Sequence, residues 1–249
     1  MPLLSLSGVR KTFANGTHAL GPVSFDVEHG EFLSLVGPSG CGKSTALRVI
    51  AGLLAPDAGV VTWPNGKPEV GFVFQEPTLM PWLSVLGNAR LPLDLEGKSR
   101  RESDAIAHRA LERVGLAGFE NSFPRELSGG MKMRVSIARA IAAEPKVLLM
   151  DEPFAALDEL TRQALNDDLL KLAVEDGLTV IFVTHSVYES TYLSSRVIVM
   201  TPRPGRIAAD LALAPPASRD ATYRLSPEFS ANAAKVSAAL RDAIVSVMA

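Results

Sequence analysis

The chain has 249 residues, 47% hydrophobic and 21% charged, which suits one large folded domain or two small ones and excludes a disordered polymer. Its formal net charge of −2, with basic and acidic residues well mixed, argues against a nucleic-acid binder held by a broad basic face. The single cysteine, Cys41, excludes an internal disulfide and a cysteine-based zinc cluster, and suits a reducing compartment.

The opening MPLLSLSGVRKTF lacks the basic leader, apolar stretch and small-residue cleavage site of a secretory signal. No apolar run reaches the ~18 residues of a membrane span, so a cytosolic chain is expected, with any membrane role exerted through a partner. SFDVE (24–28) alternates as a half-buried strand, and EFLSLVG (31–37) is a fuller apolar strand ending in a glycine-rich turn. A helix is predicted from about Lys43 with Gly52 as its stop. Asn65-Gly66 predicts a hairpin between the flanking strand-like segments of 60–74. Prolines 77, 81 and 92 then punctuate short elements, and 102–115 predicts an amphipathic helix with Ile106, Ala110, Leu111 and Val114 on one side.

Further on, helix and buried strand alternate. A helix is expected from about Met131 to Ala143, a strand at KVLLM, a helix carrying Leu165, Leu169 and Leu172, then strands TVIFVT and RVIVM. Buried strands separated by helices predict an α/β fold with a parallel sheet covered on both faces. After Ile207 a Pro-Pro-Ala-Ser linker and an Ala-rich helix from about Pro227 are expected.

Three stretches carry chemistry. GPSGCGKST, comprising Gly37, Pro38, Ser39, Gly40, Cys41, Gly42, Lys43, Ser44 and Thr45, fits G-x-x-x-x-G-K-[ST] between an apolar strand and a helix start. Its glycines let backbone N–H groups turn toward a polyphosphate, Lys43 reaches the terminal phosphates, and the Ser44 hydroxyl suits Mg²⁺. Asp151, ending the strand of VLLMDEP, stands at the carboxyl edge of the sheet and can hold Mg²⁺, and Glu152 can polarise a water as general base. In isolation that acidic pair reads better as a helix N-cap, and the accompanying phosphate loop turns the reading to chemistry. LSGGM places Ser128, Gly129 and Gly130 at a helix start, either a second anion site or a capped helix behind a turn. Cys41 lies beside Lys43 before a helix N-terminus, which predicts a reactive thiol if the loop is accessible.

In this order, the phosphate loop, Gln75, LSGGM, VLLMDEP, AALD and VTHS resemble the nucleotide-binding subunit of ABC transporters, over about residues 3–210. The resemblance implies a RecA-like P-loop NTPase core (1–210) with an antiparallel β subdomain and an inserted helical subdomain at about 76–135, followed by a C-terminal linker and helix (211–249). It implies a homodimer sandwiching two ATP molecules, with Ser128, Gly129 and Gly130 acting on the partner's nucleotide. Gln75 matches the hinge glutamine sensing the metal and γ-phosphate, Leu157 and Asp158 a dimer-contact loop, and His185 the histidine holding the γ-phosphate. Met131 departs from the family's usual glutamine, and Phe13 takes the place of an adenine-stacking aromatic, or else is a strand-end core residue.

FVFQEPTLMPWLSVLGNARLPL, FVTHSVYESTYLSSRVIVM and RPGRI resemble the importers of nitrate, taurine and sulfonates. That likeness implies ATP-driven import of a small solute through an integral membrane permease at the cytoplasmic face of the inner membrane, fed indirectly by a solute-binding protein, with no nucleic acid. Residues 76–95, with exposed-looking Leu79, Met80 and Trp82, are the expected permease-docking surface, or else a hydrophobic satellite core. The rival readings are a cytosolic non-transport ABC ATPase, which usually carries tandem cassettes or a long coiled-coil insertion, and a P-loop small-molecule kinase, which would leave LSGGM and His185 without a role.

Overall fold

The computed structural model describes residues 1–215, 219 and 222–248. In chain order the elements are β1 (Leu4–Thr12), β2 (His18–Val27), β3 (Phe32–Val36), α1 (Lys43–Ala51), β4 (Ala58–Thr62), β5 (Val70–Val73), α2 (Val85–Leu95), α3 (Arg100–Arg113) and α4 (Gly129–Ala142). They continue with β6 (Val147–Asp151), α5 (Glu159–Asp176), β7 (Thr179–Thr184), α6 (Val187–Leu193), β8 (Arg196–Met200), β9 (Ile207–Ala212) and α7 (Pro227–Met248). The chain divides into two compact units, Met1–Lys67 with Thr179–Ala249, and Pro68–Leu178.

In the first unit, β1 lies between β2 and β4 in an antiparallel sheet, with Leu6 opposite Phe25 on one side and Val61 on the other. The predicted alternation holds: Phe25 and Val27 are buried while Ser24 and Asp26 face solvent. A second sheet runs β7-β3-β8-β9, with β3 parallel to both neighbours and β9 antiparallel on β8. Every residue of β3 and β7 is buried, which is why both read as largely apolar runs without polar alternation. Helix α1 stops where predicted, at Gly52 (φ 77°), whose N–H turns back to Arg48 and Val49 carbonyls.

Strand β9 replaces the irregular tail expected after Ile207. Its inward residues, Ile207, Ala209 and Leu211, are only half-buried, so its alternation is weak in the sequence. Helix α7 begins at Pro227 as predicted, and its Val236 and Ala243 are buried with Val36, Val197, Val199 and Leu213. The C-terminal helix therefore completes the core of this unit. Of the expected linker, residues 216–218 lie outside the described residues.

In the second unit, β5 and β6 form a parallel pair, and α2, α3 and α4 pack on one another. The turn at Asn65-Gly66 is present, with the Gly66 N–H donating to the Trp63 carbonyl, but it closes no hairpin. Strand β4 pairs with β1 and β5 with β6, because the apolar VGFV run takes a buried parallel partner. Pro92 lies inside α2, where a break between short elements was expected. That helix is fixed at its start: Ser84 caps it, and the buried Asn88 amide exchanges hydrogen bonds with both backbone groups of Met80 and donates to the Leu83 and Ser84 carbonyls. Arg90 pairs with Asp94 within α2 (2.8 Å) and joins α2 to α3 through Asp104 (2.7 Å), and this guanidinium holds the Asp104 carboxyl below the usual range. On α3, Ala110, Leu111 and Val114 are buried as predicted, and Ile106 is half-buried.

Candidate functional site

The 37–45 loop leaves the carboxyl end of β3, where Val36 is the register partner of Thr184, so His185 leaves the same edge of the same sheet. Gly40 and Gly42 adopt φ of 74° and 106°, which side chains resist. Gly42 is also enclosed: a Cβ there would lie 2.6 Å from the Ala19 carbonyl oxygen. As the N-cap of α1, Gly42 offers no capping side chain to the first turn of α1. Lys43 is buried, and its Nζ donates to the Gly37 (2.9 Å) and Pro38 (3.2 Å) carbonyls, folding the ammonium over the loop. Ser44 and Thr45 are half-buried on the same turn, and Ser39 and Gly40 are exposed.

His185 is exposed, and the residues around it are braced. The buried Thr184 hydroxyl donates to the buried Glu189 carboxylate and accepts from the Ser186 N–H, while Ser186 caps α6 by accepting from the Glu189 N–H. Phe13 ends β1 in a tight turn, its N–H on the Thr17 carbonyl, and is 39% exposed. Phe13 therefore lies outside the buried core.

The second unit gathers a different set. Val73 of β5 is the partner of Met150 of β6, so Gln75, Asp151 and Glu152 all leave by one strand edge. Asp151 is 4% exposed, Gln75 exposed and Glu152 half-buried. Glu152 takes φ 46°, the left-handed region that costs a non-glycine residue ~1–3 kcal/mol, so the fold holds this carboxylate in a strained position. Ser128 caps α4 by accepting from the Met131 N–H, so the helix starts two residues earlier than predicted. The LSGG turn packs on the next loop: a Cβ on Gly130 would lie 2.7 Å from Thr161 Cγ2, and one on Gly129 3.4 Å from Leu157. Asp158 caps α5, and the Thr161 N–H and hydroxyl hold its carboxyl below the usual range.

Two arginines escaped sequence reasoning. Arg139 on α4 donates to the Pro77 and Thr78 carbonyls (both 2.9 Å), the Thr78 hydroxyl and Ser136, and burial pushes its pKa down. Arg203 donates to the Gly40 carbonyl (3.0 Å). Neither partner is close in sequence, and only the RPGRI stretch hinted at the second.

Cys41 departs from expectation. Its side chain is 1% exposed and directed under the loop, where a Cβ on Gly37 would meet its Sγ at 2.9 Å. A thiol so placed does not react as an accessible one does. Native protein should resist a bulky maleimide, with labelling following the unfolding curve. Rapid stoichiometric labelling without denaturant would contradict the buried placement.

A family model described as ABC transporter matches residues 20–155. The aliphatic sulfonates import ATP-binding protein of Pseudomonas savastanoi pv. phaseolicola is 47% identical over 218 residues, 88% of this chain and 89% of its own length. The taurine import ATP-binding protein of Yersinia pestis bv. Antiqua is 41% identical over 216 residues, 85% of this chain and 84% of its own. Among solved structures, a dimeric ATP-binding cassette in a post-hydrolysis state with ADP and Pi aligns at TM-score 0.76 and 36% identity, covering 85% of this chain and 99% of that one.

Proposed function

This chain belongs to the ABC transporter family as an ATP-hydrolysing subunit, and we propose that it powers import of a small solute through a partner membrane permease. The observation that carries the reading is the 37–45 loop, where a glycine N-cap opens α1 and a lysine folds over the glycine-rich turn, the make-up of a cradle for polyphosphate. The curated names of the sulfonate and taurine relatives support the direction of transport and the coupling to a permease. Among the described residues no helix is long and apolar enough to cross a membrane, so in this reading the permease supplies the pathway. A solute-binding protein delivers the solute from the far side.

In the proposed mechanism the loop N–H groups and Lys43 neutralise the β- and γ-phosphates, and Phe13 stacks on adenine. Ser44, Gln75 and Asp151 are hard oxygen donors of hydroxyl, amide and carboxylate type, a set that fits Mg²⁺ shared with nucleotide phosphates. When bound, Mg²⁺ supplies charge neutralisation at the phosphates. Glu152 orients and deprotonates the attacking water, and His185 holds the γ-phosphate by hydrogen bond. Ser128, Gly129 and Gly130 engage the nucleotide of a second copy, with Leu157 and Asp158 at the dimer contact. The dimeric ATP-binding cassette among the structural relatives supports that pairing. ATP closes the dimer and hydrolysis reopens it, turning a γ-phosphate contact into motion of the permease.

The docking surface for the permease is the groove of ≈ 360 Å³ lined by Phe72, Phe74, Met80, Leu91, Leu95 and Arg139. Of the three side chains expected to be exposed, Trp82 is (71%), while Leu79 and Met80 are half-buried. Leu95, 81% exposed, lies on the rim and can change without unfolding the helix. Tagged chain captured from detergent-solubilised membranes should bring down an integral membrane protein. Leu95→Asp should lose that protein while ATP hydrolysis by the isolated subunit persists. Recovery of the wild-type chain with no membrane protein, under conditions that preserve the dimer, would reject the transport reading.

A further inference from the structure

The 201–206 turn between β8 and β9 is built against the phosphate loop. Thr201 closes the turn on itself, its N–H donating to the Arg206 carbonyl (2.9 Å) and its hydroxyl accepting from the Arg206 N–H (3.0 Å). Gly205 ties it to β2, donating to the Ala19 carbonyl (3.1 Å) and accepting from the Gly21 N–H (2.9 Å). Gly205 also lies so close to the Cys41 carbonyl oxygen that a Cβ would collide with it. From this anchored turn Arg203 Nε reaches the Gly40 carbonyl at 3.0 Å, and its Nη2 lies 3.0 Å from where a Gly40 Cβ would stand.

In a trans peptide the N–H and the C=O point in opposite directions, so whatever holds the carbonyl aims the amide. Arg203 holds the Gly40 carbonyl, and on the other side of that peptide the Cys41 N–H donates to Pro38 (3.2 Å). Two residues on, the Gly42 carbonyl is taken by the Ala46 N–H of α1 (2.9 Å). The loop is glycine-rich and therefore prone to peptide flips. The charged donor on Gly40, reaching across from another hairpin, opposes a flip of this peptide.

We propose that Arg203 is a positioning residue for nucleotide binding: it presets the 40–41 peptide and with it the phosphate cradle. The proposal rests on the reading of that loop as the ATP site. Arg203 acts on affinity and not on the chemical step, because it bonds the loop backbone at Gly40 and supplies no group to the attacking water. It is exposed, so its removal leaves the core intact.

Titration calorimetry with MgADP and steady-state ATP hydrolysis would test this on wild type, Arg203→Ala, Arg203→Lys, Arg203→Gln and Lys43→Ala. Arg203→Ala should raise Kd and KM about tenfold, the range of one lost charged hydrogen bond, with kcat at saturating ATP within about twofold and an unchanged unfolding midpoint. Lysine and glutamine each restore a donor and should each recover part of the affinity. Wild-type Kd in Arg203→Ala, with binding lost in Lys43→Ala, would overturn the proposal while leaving the ATP site standing. Full recovery by lysine with none by glutamine would also overturn it, since a diffuse charge effect needs no hydrogen bond. Undiminished binding in Lys43→Ala would instead reject the ATP reading of the loop.

Discussion

Glu152→Gln is expected to lower kcat for ATP about 10²–10⁴-fold, the usual worth of a positioned general base. The amide keeps the size of the side chain and its strained backbone, at φ 46°, but cannot accept the proton of the attacking water. Lys43 and the loop N–H groups are untouched, so Kd for ATP should stay within about twofold. With hydrolysis blocked, MgATP should hold two copies together, visible as a shift to dimer by size-exclusion chromatography. Single-turnover hydrolysis within tenfold of wild type would show that another group activates the water.

Gly42→Ala should damage the fold and the phosphate loop together. The residue sits at φ 106°, where a side chain costs ~1–2 kcal/mol, and the new Cβ would press the Ala19 carbonyl at 2.6 Å and Leu20 at 2.7 Å. A backbone oxygen cannot swing aside as a side chain does. A total of about 3 kcal/mol should lower Tm by roughly 6–12 °C and displace the first turn of α1. Nucleotide affinity should fall by more than about thirtyfold. Gly66→Ala is the control: φ is 83° there too, but no atom lies within 4 Å. It should cost about 1 kcal/mol and leave affinity unchanged. Equal losses from the two variants would mean that φ alone, and not the contact with Ala19, makes Gly42 necessary.

The phosphate loop was legible because its chemistry is local: two glycines, a lysine and a hydroxyl must occupy fixed offsets between a strand and a helix. Strands β3, β6 and β7 were legible for a similar reason, each being mainly apolar and fully buried. Partner choice was not. Asn65-Gly66 makes its turn, yet the strands on either side pair elsewhere, since strand pairing is decided by residues distant in the chain. Strand β9 hid because Ala209 and Asp210 give it little contrast. The direction of Cys41 was hidden too: it depends on how the loop rolls against Gly37 and β8, which loop spacing does not specify. Arg139 and Arg203 each bind main-chain carbonyls across a long sequence gap, and a carbonyl leaves no mark in the amino-acid code. Family likeness added the roles of Gln75, Ser128 and His185, which residue chemistry by itself left open.

The bracket made by Arg139 gives α4 a fixed far end. Ser128 and Arg139 are eleven residues apart on one unbroken helix, a rod of about 16 Å. At one end is the LSGG turn; at the other, three of the arginine's hydrogen bonds grip Pro77 and Thr78, directly beyond Gln75. A rod held in this way would carry a tilt of the LSGG turn to Pro77 and Thr78, and a displacement of Pro77 and Thr78 back to the LSGG turn.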